Sequence, residues 1–205
     1  MNNYEYIIAG LPVLDRDDRK LDADFADELT NEIRSLVSKS DNALITKLLE
    51  GYDPENLNID FYKGILKHGN HFIREFFRFD LNLRNSKVMY LNDRLKRPAN
   101  QDMIIFDPEA ETPFIGAFEE REQVESALES GDILTREREL DAVLWDKIEN
   151  IVGMDVFSID VILGFIAKSR VISRWVKLDP ETGRELFKKL VAEVRGTFEG
   201  VNFTE

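Results

Sequence analysis

Apolar residues recur three or four positions apart along most of the chain, in segments that end at glycine, proline or capping residues. This spacing is typical of helices that bury one face in a core. It predicts helices over 22–38, 41–50, a short one from Asp53, then 70–97, 119–130, one from after Thr135 to Gly153, one from Ser158 to Leu178, and a last from Asp179 to Gly196. The sequence therefore predicts an all-α protein with about eight helices.

Capping signals support several of these boundaries. Asp53 and Asp179 are each followed by proline, so each combines an N-cap residue with a residue suited to the first helical turn. Asn70 is a candidate N-cap for the long fourth helix, and Pro98 lies just beyond its predicted end.

The seventh predicted helix is apolar around most of its circumference. A helix of this kind is normally buried, which predicts that it forms the centre of the C-terminal part and that Trp175 is substantially buried. The helix also contains charged residues, which exclude a membrane span. They are Asp160, Lys168, Arg170, Arg174 and Lys177.

The segment 100–118 has no helical period and contains Pro108 and Pro113, and only residues 103–107 could form a short extended piece. We interpret it as a connection between an N-terminal lobe, 1–99, and a C-terminal lobe, 119–205, within one all-helical domain.

Composition excludes several kinds of site. The chain has 205 residues and no cysteine, so it has no disulfide, thiolate metal site or cysteine nucleophile. Its first residues lack the basic and apolar regions of a signal peptide, and no apolar run approaches the ~20 residues of a membrane span. We expect a cytoplasmic protein.

Charge is distributed unevenly around a net value of −13. Nine Lys or Arg and three acidic residues lie in 63–97, a local charge of +6, whereas eleven acidic residues and four bases lie in 119–149, a local charge of −7. Two solvated faces would explain this asymmetry, and so would oriented contacts within the protein or with another chain.

Catalytic and cofactor signatures are missing from the sequence. It contains no phosphate-binding glycine-rich loop and no Gly-x-Ser-x-Gly motif. His68 and His71 are three residues apart, but they lack the further ligands of a metal site and the Glu-x-x-His pattern of di-iron bundles. The acidic segments 118–125 and 137–140 are interleaved with arginines and look solvated. We expect no enzymatic activity, no cofactor and no metal.

Phenylalanines on the basic fourth helix could stack on single-stranded nucleic acid. These are Phe72, Phe76, Phe77 and Phe79. Their spacing is that of a core face, however, and the negative net charge of the chain repels a polyanion. Core packing is the favoured interpretation.

Arg84 interrupts an apolar series along the same helix, formed by Phe77, Leu81, Val88, Leu91 and Leu95. Asp80 lies four residues earlier, in the favourable order for a helical ion pair. This indicates a structural arginine with its own counter-ion, although a role in contacting a partner stays open.

Four segments follow one another along the chain, Tyr4–Leu14, Arg74–Pro98, Leu140–Ile151 and Ile162–Leu190. Together they resemble a small bacterial family encoded beside V-type ATPase subunits. The chain resembles a shortened form of the C/d-type subunit of V-type ATPases. The full-length C/d-type subunit has three similar helical units, and this chain is clearly shorter.

The resemblance implies a non-catalytic subunit of a V-type ATPase or ATP synthase. Such a subunit joins the central rotor stalk to the membrane proteolipid ring and supports proton or sodium transport. It would be cytoplasmic and held at the membrane through the complex. Candidate partner contacts are Arg74, Arg78, Arg84, Asn85 and Arg174. A helical regulatory or adaptor protein is the alternative, and a carboxylate-based hydrolase is a third.

Overall fold

The computed structural model describes residues 4–16, 24–107 and 109–178. These residues form eight α-helices and one short 3-10 turn, with no β-strand. The α-helices are α1 (Glu5–Gly10), α2 (Phe25–Leu36), α3 (Lys39–Glu50), α4 (Ile59–Ile65), α5 (His71–Leu95), α6 (Arg121–Leu128), α7 (Ile133–Val152) and α8 (Ile159–Lys177), and the 3-10 turn is Pro54–Asn56. The predicted all-α class is confirmed, and the last predicted helix, 179–196, lies outside the described residues.

The capping predictions are confirmed at Asn70 and Asp53, and the predicted cap Asp179 lies outside the described residues. The Asn70 side chain accepts a hydrogen bond from the Ile73 N–H (2.9 Å), and Asp53 caps the 3-10 turn rather than an α-helix. The sixth predicted helix, α7, begins earlier than expected, because Asp132 accepts a hydrogen bond from the Thr135 N–H (2.8 Å). Thr135 is therefore inside the helix and not before it.

The main core contains apolar residues from α2, α3, α4, α5, α7 and α8. All four phenylalanines of the 72–79 segment are buried, which confirms that their spacing marks a core face. Because this core contains residues from both sides of the 100–118 connection, the two predicted lobes share it.

α8 lies close to α7 through Gly164. A Cβ atom at that position would be 2.6 Å from Val152 Cγ2 and 3.3 Å from Ile148 Cγ2, so only glycine permits this separation of the two backbones. Eight other α8 residues are buried, which confirms the predicted central position of this helix: Ile162, Leu163, Ile166, Ala167, Ser169, Val171, Ile172 and Ser173. Trp175 is only partly buried, less than expected, since it lies in the last turn.

Buried asparagines on α5 hold the 100–118 connection. Asn82 accepts from the Ile115 N–H (2.8 Å) and donates to the Ile115 carbonyl (3.1 Å). Asn85 accepts from the Ile104 N–H (3.1 Å) and donates to the carbonyls of Ile104 and Pro113 (both 2.9 Å). A segment without regular structure must satisfy its backbone groups in this way when it packs on a protein. The connection is thus fixed on α5 by side chains.

No helix among the described residues combines the length and the apolar character that crossing a bilayer would require.

Candidate functional site, a basic cleft between three helices

A cleft of about 430 Å³ lies between α5 and α8, with α7 at its floor. α7 is antiparallel to both neighbours. Along α5, residues 79, 83 and 87 contact progressively earlier residues of α7, which are 147, 140–143 and 137. Along α8, Lys168 contacts Glu149 and Arg174 contacts the earlier residue Asp141. The lining includes five basic side chains, of Arg84 and Lys87 on α5 and Arg170, Arg174 and Lys177 on α8. We call it the basic cleft.

Arg84 belongs to a hydrogen-bonded group on the α5 wall. Its Nε donates to Asp80 Oδ2 (2.7 Å), and the Tyr62 hydroxyl donates to the same oxygen (2.6 Å). Burial raises the pKa of Tyr62, and the Asp80 charge raises it further, so the hydroxyl remains a donor at neutral pH. The predicted pairing of Arg84 with Asp80 is confirmed, yet the Arg84 side chain is 44% exposed and faces the cleft.

Asp141 is the buried carboxylate of the cleft. Its Oδ2 accepts hydrogen bonds from Arg174 Nη2 and from the Trp175 indole N–H (2.6 Å). Burial raises the pKa of Asp141, while Arg174 and Trp175 act in the opposite direction without cancelling the effect. Desolvation therefore opposes the charge on Asp141, and its two hydrogen-bond donors favour it.

The basic residues of α8 follow one helical face. Arg170, Arg174 and Lys177 are four and three residues apart, so their side chains project to the same side. Arg170 Nη1 contacts Asp27 Oδ1 of α2 (2.7 Å), and Lys177 Nζ lies 3.9 Å from Asp27 Oδ2. The ion pairs thus connect the cleft to α2.

Tyr52 also lines the cleft and is 41% exposed over the whole residue. Burial around its hydroxyl and the charge of Asp80 raise the pKa of Tyr52. Its phenol is therefore neutral and able to donate a hydrogen bond.

The structure divides the five predicted partner contacts into three groups. Arg84 and Arg174 line the basic cleft together. Arg74 and Arg78 lie elsewhere on α5, where both contact Glu75. Asn85 is 1% exposed and binds the connection, which corrects the expectation that it is accessible to a partner.

Sequence reasoning missed the other residues of the cleft. Lys87, Arg170, Lys177 and Asp141 were not candidates, although the spacing of the α8 bases is a sequence signal for a common face. The pairing of Asp141 with Arg174 joins residues 33 positions apart, and no local pattern could have indicated it.

The two histidines have local roles at the start of α5. His68 Nδ1 accepts from the Asn70 N–H (3.1 Å), and His71 Nδ1 lies 3.4 Å from Arg74 Nη2. In the described part of the chain, no three His, Asp or Glu residues are grouped so that they could hold a metal ion.

The acidic segments form ion pairs. Glu120 contacts Lys147 (2.7 Å), and Arg121 contacts Glu125 (2.7 Å). Lys87 of the basic segment contacts Glu137 of the acidic one (3.5 Å), so the two oppositely charged segments meet within the protein at this point.

Comparison with known families gives one match. A family model described as a protein of unknown function (DUF2764) matches residues 114–197, less than half of the chain. Its match includes α6, α7 and α8, and therefore the floor and the α8 wall of the cleft, but not α5. No curated protein and no solved structure matches the chain.

Proposed function

We propose that the chain is a non-catalytic interaction subunit of a V-type ATPase or ATP synthase. In this role it joins the central rotor stalk to the membrane proteolipid ring and supports proton or sodium transport by mechanical coupling. The proposal starts from the resemblance of four segments to a shortened C/d-type subunit. It also places the protein in the cytoplasm, at the membrane through the complex.

The observation that carries the proposal is the presence of Arg84 and Arg174 in one cleft with exposed apolar residues beside it. Leu91 lies one turn beyond Lys87, and Ile133 lies one turn before Glu137, the residue that Lys87 contacts. They continue the cleft along the antiparallel pair α5–α7, with Leu91 50% and Ile133 70% exposed. We call Leu91, Leu95, Ile133 and Leu134 the apolar rim.

A large exposed apolar group beside charged residues is typical of a protein contact surface. Apolar side chains supply the burial in such a contact, and charges fix the orientation of the partner. The apolar rim and the edge of the basic cleft provide both in one place, which supports docking of another subunit there.

Mechanical coupling requires a stiff element between two contacts. α5 has 25 residues and is therefore about 37 Å long. It is held by core contacts in its first half and by three buried asparagines, Asn82, Asn85 and Asn92, from its middle towards its end. These contacts suit α5 to transmit force without bending.

The experiment that tests the role identifies what the intact chain binds. The full chain carries an affinity tag, is expressed from its own locus, and is recovered from gently solubilised native membranes. We expect central-stalk and proteolipid subunits of the ATPase in the recovered complex, at levels comparable with the chain.

Recovery of a different, defined protein in equal amount, without ATPase subunits, would favour the adaptor alternative instead. Recovery of the chain alone would contradict both interpretations. Nucleotide turnover by the purified chain, in a preparation free of other ATPase subunits, would contradict a non-catalytic role.

A further inference from the structure

The walls of the basic cleft carry an excess of positive charge. Five basic side chains and two carboxylates, Asp80 and Asp141, line it, which leaves an excess of three positive charges. Asp27 and Glu137 at the edge reduce this excess to one. The cleft is therefore locally positive in a chain whose net charge is −13.

Contact distances separate the firmly paired cationic groups from the loosely paired ones. Arg84 and Arg170 each lie 2.7 Å from a carboxylate oxygen. Arg174 is bound firmly to Asp141 through Nη2, but its Nη1 atom is 3.3 Å from Glu137. Lys87 Nζ is 3.5 Å from Glu137, and Lys177 Nζ is 3.9 Å from Asp27. A charge-assisted hydrogen bond is shorter, about 2.7–2.9 Å. These three nitrogen atoms therefore make only long contacts with carboxylates of the described residues.

Glu137 shows where an anionic ligand oxygen would lie. Its Oε2 atom contacts both Lys87 of α5 and Arg174 of α8, so one negatively charged oxygen already bridges the two walls. The Glu137 side chain is 32% exposed and is free of any other ion pair among the described residues, so it can rotate into solvent when a ligand replaces it. Asp80 and Asp141, in contrast, are held by Tyr62 and Trp175.

We propose that the basic cleft binds a soluble phosphomonoester of about the size of a nucleoside monophosphate, with its phosphate between Lys87, Arg174 and Lys177. This proposal does not depend on the ATPase role. A phosphomonoester carries nearly two negative charges at neutral pH and three terminal acceptor oxygens, one for each loosely paired nitrogen.

The remainder of the ligand has a place in the same cleft. Its volume of about 430 Å³ lies within the ~300–1,000 Å³ of small-molecule sites. Leu140 and Leu144 on the floor and Val171 on the α8 wall provide apolar contacts, and Tyr52 provides a ring and a neutral hydroxyl. These features fit the sugar and base of a nucleotide better than inorganic phosphate alone.

The overall negative charge does not prevent this binding. Exposed charges are screened beyond about 8 Å at physiological salt, so the ligand in the cleft experiences mainly the nearby cations. A concave site also concentrates the potential of the charges that line it.

The test is calorimetric titration of the full chain with AMP, with adenosine as the ligand that lacks phosphate. We expect AMP to bind with a Kd of about 10 µM–1 mM, the range that two or three charge-assisted hydrogen bonds provide, and adenosine not to bind. Lys87→Gln and Lys177→Gln should each weaken AMP binding about tenfold or more, because each removes one such bond. Lys63→Gln, at an exposed position on α4 outside the cleft, should leave it unchanged.

Glu137→Gln gives a prediction of the opposite sign. It removes the carboxylate that competes for Lys87 and Arg174, so AMP should bind several-fold more tightly. Circular dichroism of each variant checks that it is folded, and Arg174 is left intact because it also supports Asp141.

Four results would overturn the proposal. The first is equal binding of adenosine and AMP, and the second is an AMP affinity that is unchanged in both lysine variants. The third is weaker AMP binding by Glu137→Gln. The fourth is that neither AMP nor glycerol 3-phosphate, titrated as a second phosphomonoester, binds to the wild-type chain. A further experiment measures binding of the chain to vesicles that contain phosphatidate. Binding to these vesicles without binding to AMP or glycerol 3-phosphate would contradict the proposal that the ligand is soluble.

Discussion

At the scale of single residues, the cleft contains two carboxylates with different environments. Asp80 is 21% exposed in its side chain and accepts from a tyrosine and an arginine, while Asp141 is more deeply buried and accepts from Arg174 and Trp175. Arg84 is paired with Asp80 and its side chain is also partly exposed. The two roles considered from the sequence, a structural ion pair and a contact with a partner, are therefore compatible.

The Asp80–Arg84 pair should behave as a coupled unit. Arg84→Met and Asp80→Asn should each lower the free energy of unfolding, and the double variant should recover part of the loss. We expect a coupling energy of about 0.5–1 kcal/mol, because the pair is partly exposed and solvent weakens its attraction. Urea unfolding of the three variants measures it.

Lys63→Met is the control, since Lys63 is exposed on α4 and should show no coupling to Asp80→Asn. A coupling energy between Asp80 and Arg84 no larger than that of the control would mean that the pair is an ordinary solvated contact.

Asp141 gives a prediction about pH. Because burial raises its pKa, the folded protein binds this proton more tightly than the unfolded chain, whose Asp pKa is about 3.9. Its contribution to the free energy of unfolding therefore falls as pH rises through the folded pKa. The free energy of unfolding of wild type, relative to that of Asp141→Asn, should increase as the pH is lowered from 7 to about 4, near the unfolded Asp pKa. Urea unfolding of both proteins across this range measures it.

Asp132→Asn is the matched variant of opposite sign. Hydrogen bonds from the Thr135 side chain and N–H lower the pKa of Asp132, so its contribution is present at neutral pH and is lost as pH falls towards and below about 4, the unfolded Asp pKa. A shift for Asp141 in the same direction as that for Asp132 would mean that Arg174 outweighs burial.

At the scale of helices, segments with a clear apolar period were predictable from the sequence, and the two shortest α-helices of the described residues were not. α5, α7 and α8 carry several turns of apolar period, and Asn70 marks the start of α5. α1 and α4 have six and seven residues, too few to establish a period, and both were missed. The role of Asn82 and Asn85 was missed because it requires knowing which segment packs beside α5.

The contact between α7 and α8 should be sensitive to one methyl group. Gly164→Ala would place Cβ against Val152 and Ile148, which forces the two helices apart. We expect a loss of about 1–3 kcal/mol in the free energy of unfolding, the usual range for overpacking. Thermal or urea unfolding of the variant measures this loss.

Gly64→Ala is the matched control within a helix. A Cβ there meets nothing within 4 Å, so the higher helix propensity of alanine should stabilise the protein by up to about 1 kcal/mol. Equal effects of the two substitutions would contradict the close contact of α7 with α8.

At the scale of the whole molecule, pairing across the chain decides the site. Arg84 and Arg174 were both candidates from the sequence, but their presence in one cleft depends on the antiparallel packing of α7 between α5 and α8. The sequence contained the local pair Asp80–Arg84, whereas Glu137 joins Lys87 and Arg174 only in the folded protein. Long-range packing of this kind is not encoded in a local pattern, which is why the cleft itself was not predicted.

The central claim is that the apolar rim and the edge of the basic cleft bind a rotor subunit. Its most direct test is the binding of purified chain to purified central-stalk subunits, measured by analytical ultracentrifugation. Leu91→Glu is the test variant, because it would bury a charge in the proposed contact. Met154→Glu is the control, because Met154 is a 97% exposed apolar residue in the loop between α7 and α8. We predict a complex with wild type and with Met154→Glu, and at least about a tenfold loss of affinity with Leu91→Glu. Equal binding by all three chains, or no binding by wild type, would contradict the account.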